Sequence, residues 1–306
     1  MKVLSIDGGG IRGIIPAVVL AELERRTGRR AAELFDFMAG TSTGGILACA
    51  LAKPDPLPAA ELVALYEEEG PRIFHRTLLK RVFSVDGLTD ERYEDDGLNA
   101  ALQRYLGDAR LRDATVPVFV TAYDIKDRFA FFFRSERAVD DPTYDFSMAD
   151  VARATSAAPT YFEPVEVTDA AGARTYPLVD GGIYAMNPAA CAFVEHPREI
   201  ALIASLGTGS QTRAYEYHRA RWWGQLEWAR PVLDMGFDGM ADTVGFQLER
   251  LLPDDGYVRL QPELLRANDD MDDASPENLR ALRAEAEALI DARSADLDAM
   301  CARLVA

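Results

Sequence analysis

Asp7-Gly-Gly-Gly-Ile-Arg-Gly13 and Gly40-Thr-Ser-Thr-Gly44 are the two stretches on which the fold of this chain turns. Each leaves a short apolar run, Val3 to Ile6 and Phe35 to Ala39, and each enters a stretch with helical spacing. Ile14 to Arg26 sets Ala17, Leu20, Ala21 and Leu23 on one side, Glu22, Glu24, Arg25 and Arg26 on the other, and Gly28 stands as its C-cap. Gly45 to Leu51 is small and apolar, so it predicts a buried helix.

The same alternation continues along the chain. Ala59 to Phe74 and Asp90 to Tyr105 are spaced as amphipathic surface helices. Val116 to Tyr123 and Phe129 to Arg134 are expected strands with a turn at Asp124 to Asp127, and Met148 to Ala158 is a short helix ended by Pro159. Tyr176 to Val179 and Ile200 to Leu206 are strands that leave into Asp180-Gly-Gly182 and Gly207-Thr-Gly209. Trp222 to Leu252 and Glu277 to Leu304 are mostly helical around a short strand at Tyr257 to Leu260, with Ser275 and Pro276 forming a helix start. Strands alternating with helices predict an α/β fold, a mainly parallel central sheet covered on both faces in three α/β/α layers. No repeat or low-complexity linker divides it, so residues 1–306 are expected to form one domain. The glycine motifs fall within 7–182, and 220–306 is mostly helical.

A hydrophobic content of 48% with 27% charged residues belongs to a water-soluble globular chain. The net charge of −17 excludes unassisted binding to nucleic-acid polymers, which require a basic footprint, and disfavours broad adhesion to anionic membranes. Cys49, Cys191 and Cys301 have no metal-ligand spacing and suit a reducing compartment. The N-terminal residues run directly into a strand and a glycine motif, and no long apolar segment follows; a cytoplasmic location is expected.

The chemistry centres on Ser42. In a strand–Gly-x-Ser-x-Gly–helix turn, Gly40 and Gly44 avoid collision with the neighbouring strand and helix, and the serine hydroxyl stands above the sheet edge. It lies at a helix N-terminus, where developing negative charge is favoured. The consecutive glycines let the backbone N–H groups of Gly9, Gly10 and Ile11 converge as an oxyanion hole. Arg12 either steadies that loop, meets a phosphate head group or makes a surface ion pair. Asp180 follows an apolar strand and precedes Gly181 and Gly182, a placement that suits a carboxylate base for Ser42 as well as an ordinary Asp-Gly turn. His75, His196 and His218 sit in no comparable turn and suit surface or capping roles. Gly8 to Gly13 also satisfies Gly-x-Gly-x-x-Gly, with Glu33 and Asp36 at ribose-binding distance in sequence, so a dinucleotide-binding oxidoreductase stands as the alternative.

Asp7 to Gly13, Gly40 to Gly44, Ala154-Thr-Ser-Ala-Ala-Pro-Thr-Tyr-Phe162 and Asp180 to Gly182 occur in the order seen in the patatin-like phospholipases, and Ser205 to Gly209 is similar too. The chain resembles that family over about its first two-thirds. The resemblance implies a Ser42–Asp180 dyad, an oxyanion hole at Gly8, Gly9 and Gly10, and no catalytic histidine, metal or cofactor. It implies hydrolysis of phospholipid or other acyl-ester lipids through an acyl-enzyme intermediate. A lipid-binding protein with an idle dyad is the non-enzymatic alternative.

Three further features invite roles. Asp269-Asp-Met-Asp-Asp273 fails the EF-hand pattern and suits a solvated acidic loop. Tyr215, Tyr217, Trp222, Trp223 and Trp228, interleaved with Arg219, Arg221 and Arg230, suit either core packing or peripheral contact with a lipid interface. Leu78, Leu79, Val82 and Phe83, with Lys80 and Arg81 between them, suit a lid.

Overall fold

The apolar run at the start of the chain becomes β1 (Lys2–Ile6), parallel to a neighbour on each side. Leu4 and Ile6 enter the large core on one face of the sheet, and Val3 enters a smaller core on the other. Successive strand residues point to opposite faces, so an uninterrupted apolar strand is one covered on both sides. These relations come from a computed structural model, which describes residues 1–74, 93, 95–210, 214–253 and 255–306.

α1 (Ile14–Thr27) ends where Gly28 adopts φ 66° and donates its amide to Glu24 O at 2.8 Å. β2 (Phe37–Thr41) begins two residues later than its apolar run suggests. Phe35 closes the turn Ala31–Leu34, and the Asp36 carboxylate accepts the Lys2 amide at 2.6 Å, so pairing starts only at Phe37. α2 (Thr43–Ala52) is buried over nearly all its surface. α3 (Ala59–Ile73) packs on α1, and α4 (Asp95–Leu106) lies beside it.

β3 (Val118–Asp124) and β4 (Phe129–Arg134) form an antiparallel pair, and Asp124 Oδ1 accepts the Lys126 and Asp127 amides in the turn between them. α5 (Met148–Thr155) stops short of the expected Ala158, because the Ala157 carbonyl turns to accept the Asp180 amide at 3.1 Å. β5 (Val165–Thr168) is a four-residue edge strand, too short to stand out in the sequence, with Val167 buried. It pairs with β6 (Thr175–Asp180), and α6 (Ala189–Glu195) leads toward β7 (Leu202–Leu206). The long α7 (Gln225–Leu251), β8 (Tyr257–Leu260), α8 (Pro276–Ala292) and α9 (Ser294–Val305) follow.

The sheet order is β5-β6-β3-β2-β1-β7-β8, with β4 also on β3. The β3–β2–β1–β7–β8 pairs are parallel, and β6 is antiparallel to β3. β4 covers Phe119–Asp124 along one edge of β3, so β2 and β6 share the other. β2 leaves that edge at Thr41, opposite Thr121, and β6 leaves it at Asp180, opposite Ala122. Two strands running toward each other thus finish head to head.

The turns there are closed to side chains. A β-carbon on Gly44 falls onto the Ile6 carbonyl, and one on Gly40 falls onto the backbone of Gly44. Gly44→Ala is therefore expected to cost about 1–3 kcal/mol in urea unfolding, as overpacked sites do. Gly236→Ala, on an open stretch of α7 with nothing near the added carbon, is expected to stabilise by about 0.5–1 kcal/mol in the same experiment.

Candidate active site

Ser42 is the single residue between β2 and α2, and its backbone is forced to φ 55°, ψ −124°. A conformation of that kind costs on the order of 1–3 kcal/mol in a residue with a side chain, and surrounding bonds must hold it. They do: the Ser42 amide donates to Thr155 Oγ1 at 2.8 Å, and that hydroxyl donates onward to Thr121 O at 2.7 Å. The Ser42 carbonyl accepts Gly45 and Ile46 amides in the first turn of α2.

The Asp180 carboxylate accepts the Gly182 amide at 2.7 Å and lies beside the Ser42 side chain. Burial pushes the Asp180 carboxyl up to about 7, against the pull of the Ser42 hydroxyl and the Gly182 amide. Gly181 is required because a β-carbon there meets Thr121, whose hydroxyl is hydrogen-bonded to Thr41 at 2.8 Å.

The first glycine loop lies directly against Ser42, since a β-carbon on Gly8 comes within 3.3 Å of Ser42 Cβ. Gly8 departs from the expectation that its amide faces an oxyanion: it donates to Met186 O at 3.0 Å. The Ile11 amide donates to Met271 O at 2.9 Å and the Arg12 amide to Gly9 O at 3.2 Å. The Gly9 and Gly10 amides have no acceptor among the described residues. Gly10 has φ 58°, and a β-carbon there strikes the Met271 carbonyl. Thr208, from the Ser205 to Gly209 motif, donates its hydroxyl to Gly8 O at 2.6 Å.

Two buried ions frame this loop. Asp7 pairs with Arg259 of β8, whose Nη1 also donates to Ser205 Oγ at 2.9 Å. Burial pushes the Asp7 carboxyl up, and the Arg259 guanidinium draws it back. Arg12 is buried rather than a surface residue; its Nε reaches Gly9 O at 3.4 Å, and Nη1 has no partner among the described residues. Burial lowers its pKa, and the fields of Asp238, Asp269 and Asp234 oppose that shift.

Other sequence candidates fall elsewhere. His196 hydrogen-bonds Glu136 at 3.0 Å, and His218 is exposed beside Glu216. His75 and the lid candidates Leu78 to Phe83 lie outside the described residues. Glu33 accepts the Arg30 amide, and Asp36 precedes β2 at the sheet end opposite Gly8 to Gly10, too far to serve a ribose bound at that loop. The stretch Asp269 to Asp273 is half-buried rather than freely solvated: Asp272 accepts the Tyr93 hydroxyl at 2.7 Å, and Met271 clamps Ile11. Trp223 stacks edge-on between Tyr215 and Trp228 while Trp222 and Tyr217 are exposed, so the aromatic strip is surface rather than core. Sequence reasoning marks the stretches that hold Thr208 and Met271 but not their role as supports, and it misses Arg259 altogether; only the sheet order brings the three to the loop.

Residues 4–193, which span Gly8 to Gly10, Ser42 and Asp180, match the family model described as patatin-like phospholipase. The chain belongs to the patatin-like phospholipase family. It is 32% identical to Patatin-like protein 4 of Arabidopsis thaliana, covering 95% of this chain and 83% of the relative. To Patatin-04/09 of Solanum tuberosum it is 30% identical, again over 95% and 83%. Among solved structures, VipD from Legionella pneumophila aligns with TM-score 0.40 and 14% identity, over 95% of this chain and 66% of that one. In this patatin-like chain no described helix is long and apolar enough to cross a membrane.

The Asp180 carboxyl sets a pH dependence of stability. Its folded pKa, about 7, lies above the ordinary 3.8, so the folded state binds this proton more tightly than the unfolded chain. The resulting stabilisation is full below about pH 4 and is lost as pH rises toward 7. Asp180→Asn, which removes the buried charge, is expected to raise the melting temperature at pH 8 and to change it little at pH 4. The pH 8 gain is bounded by the shift, on the order of 4 kcal/mol.

Proposed function

We propose that the chain is a serine ester hydrolase acting on acyl-ester lipids through a Ser42–Asp180 dyad and a covalent acyl-enzyme. Family membership supports lipid acyl hydrolysis in general. The observation that carries the finer assignment is Ser42, on its strained turn, set beside a buried carboxylate whose pKa rises to about 7. A base needs a pKa near working pH, and few carboxylates reach it.

In this mechanism Ser42 Oγ attacks the ester carbonyl carbon as its proton passes to Asp180. The carbonyl oxygen takes the negative charge, stabilised by the Gly9 and Gly10 amides, which have no other acceptor among the described residues. Gly8 serves by lacking a side chain beside Ser42 rather than by donating. The intermediate collapses, the C–O bond to the alcohol breaks, and Asp180 returns its proton to that leaving oxygen. Asp180 then takes a proton from water as the water oxygen attacks the acyl-serine, and collapse releases the fatty acid and restores Ser42. Arg12 offers its unsatisfied Nη1 beside the loop and keeps Gly9 in place.

Hydrolysis of a soluble p-nitrophenyl ester tests this. Ser42→Ala and Asp180→Asn should each lower kcat by about a thousand-fold or more, with circular dichroism unchanged. Full activity in Ser42→Ala would reject the assignment. In the wild type, kcat/KM should rise about tenfold per unit with pH below 7 and flatten above it, following deprotonation of Asp180.

A further inference from the structure

Helix α7 spans 27 residues, yet Leu248 is its only buried one among those whose burial is described. A helix of a globular protein ordinarily buries a continuous apolar stripe. Here the inward side, Phe237, Met240, Val244 and Leu248, becomes covered only toward the C-terminal end. Trp228, Val232, Met235 and Phe246, separated by four, three and eleven residues, fall on one side; the last three are exposed, and Trp228 is half-buried against Trp223. Val232 is 55% and Phe246 58% exposed, and Trp222, just before the helix, is 77% exposed. Leu226 and Leu233, two turns apart on another side, are open as well. The N-terminal half therefore projects with apolar groups on both sides.

The position of this helix says what should cover it. α7 packs on the turn Gly182–Ala185 that directly follows Asp180, and its Asp234 and Asp238 act on Arg12. A surface seated on α7 is thus a surface presented to the Ser42 loop. Its charge selects the occupant: Glu227, Asp234, Asp238, Asp242 and Glu249 alternate along this region with Arg219, Arg221, Arg230 and Arg250, and guanidinium groups stack on Phe246 at 3.6 Å and on Trp222 at 4.9 Å. With a chain charge of −17, an anionic surface is repelled. An apolar, aromatic face edged with charges of both signs fits a zwitterionic lipid surface, into which the rings settle at head-group depth.

We propose that the outward face of α7, with Trp222 ahead of it, docks this protein on a zwitterionic lipid surface and so brings the ester to Ser42. The substrate half of this inference rests on the acyl-hydrolase assignment; the docking half does not. All three tryptophans of the chain, Trp222, Trp223 and Trp228, lie in this region, so their emission reports on it alone.

The test uses Ser42→Ala protein, which binds without turnover, in flotation with phosphatidylcholine vesicles and with phosphatidylglycerol vesicles. Flotation with phosphatidylcholine and a blue shift of tryptophan emission are expected, with weaker flotation on phosphatidylglycerol. A Val232→Ser/Phe246→Ser pair should weaken flotation by at least about tenfold while the same pair in the Ser42 background hydrolyses a soluble ester normally. Absence of flotation, a preference for the anionic vesicles, or flotation that ignores the paired substitution would overturn the proposal. So would light scattering that shows a dimer broken by the pair, since the face would then be a contact between copies. Flotation as expected with a wild type inert on soluble and lipid esters would leave docking intact and reject the hydrolase assignment.

Discussion

Everything at the site depends on the edge of β3. A β-strand has only two edges on which to hydrogen-bond, and β4 takes one of them over Phe119–Asp124. The other must be divided between β2 and β6, whose opposed directions make their carboxyl ends abut at Thr121 and Ala122. Ser42 and Asp180 are the residues at which those ends turn away. The serine–carboxylate contact is thus a product of register, and the Thr41–Thr121 and Thr155–Thr121 hydrogen bonds clamp the junction from within.

That geometry carries an energetic burden, and the protein meets it locally. A buried carboxylate at Asp180, a left-handed serine and an ion pair at Asp7 and Arg259 each disfavour the folded state in isolation. Each is matched by a specific partner: the Gly182 amide donates to Asp180, Thr155 Oγ1 accepts the Ser42 amide, and Arg259 pairs with Asp7. The large apolar core on the α1, α2 and α8 side supplies the stability against which these costs are set.

The legible parts of the sequence were those whose physics is local. Unbroken apolar runs announce strands covered on both faces, as at Val3 to Ile6, and Gly28 marks a C-cap because only φ near 66° closes α1 there. Ser42 and Asp180 are legible for the same reason, since glycines cluster wherever a strand must turn tightly. What escapes is pairing between distant segments. Nothing in Thr175–Asp180 says that this strand runs antiparallel, and nothing in the glycine run says that Gly8 spends its amide on Met186. Phe35 has strand-like apolarity, but the Asp36 carboxylate on the Lys2 amide starts β2 later. The acidic run at Asp269 to Asp273 reads as solvated by composition, and only the fold turns its Met271 carbonyl onto Ile11.

The loop at Gly8 to Gly13 precedes in the chain all the residues that complete its shape, Met186, Thr208, Arg259 and Met271. The first strand can pair with β2 as soon as both have emerged, while the amides of Gly8 and Ile11 wait for partners made much later. During synthesis the nascent chain therefore passes through a stage with its sheet begun and its glycine loop unset. Assembly of the loop, and with it the arrangement around Ser42, waits until Met271 has been made.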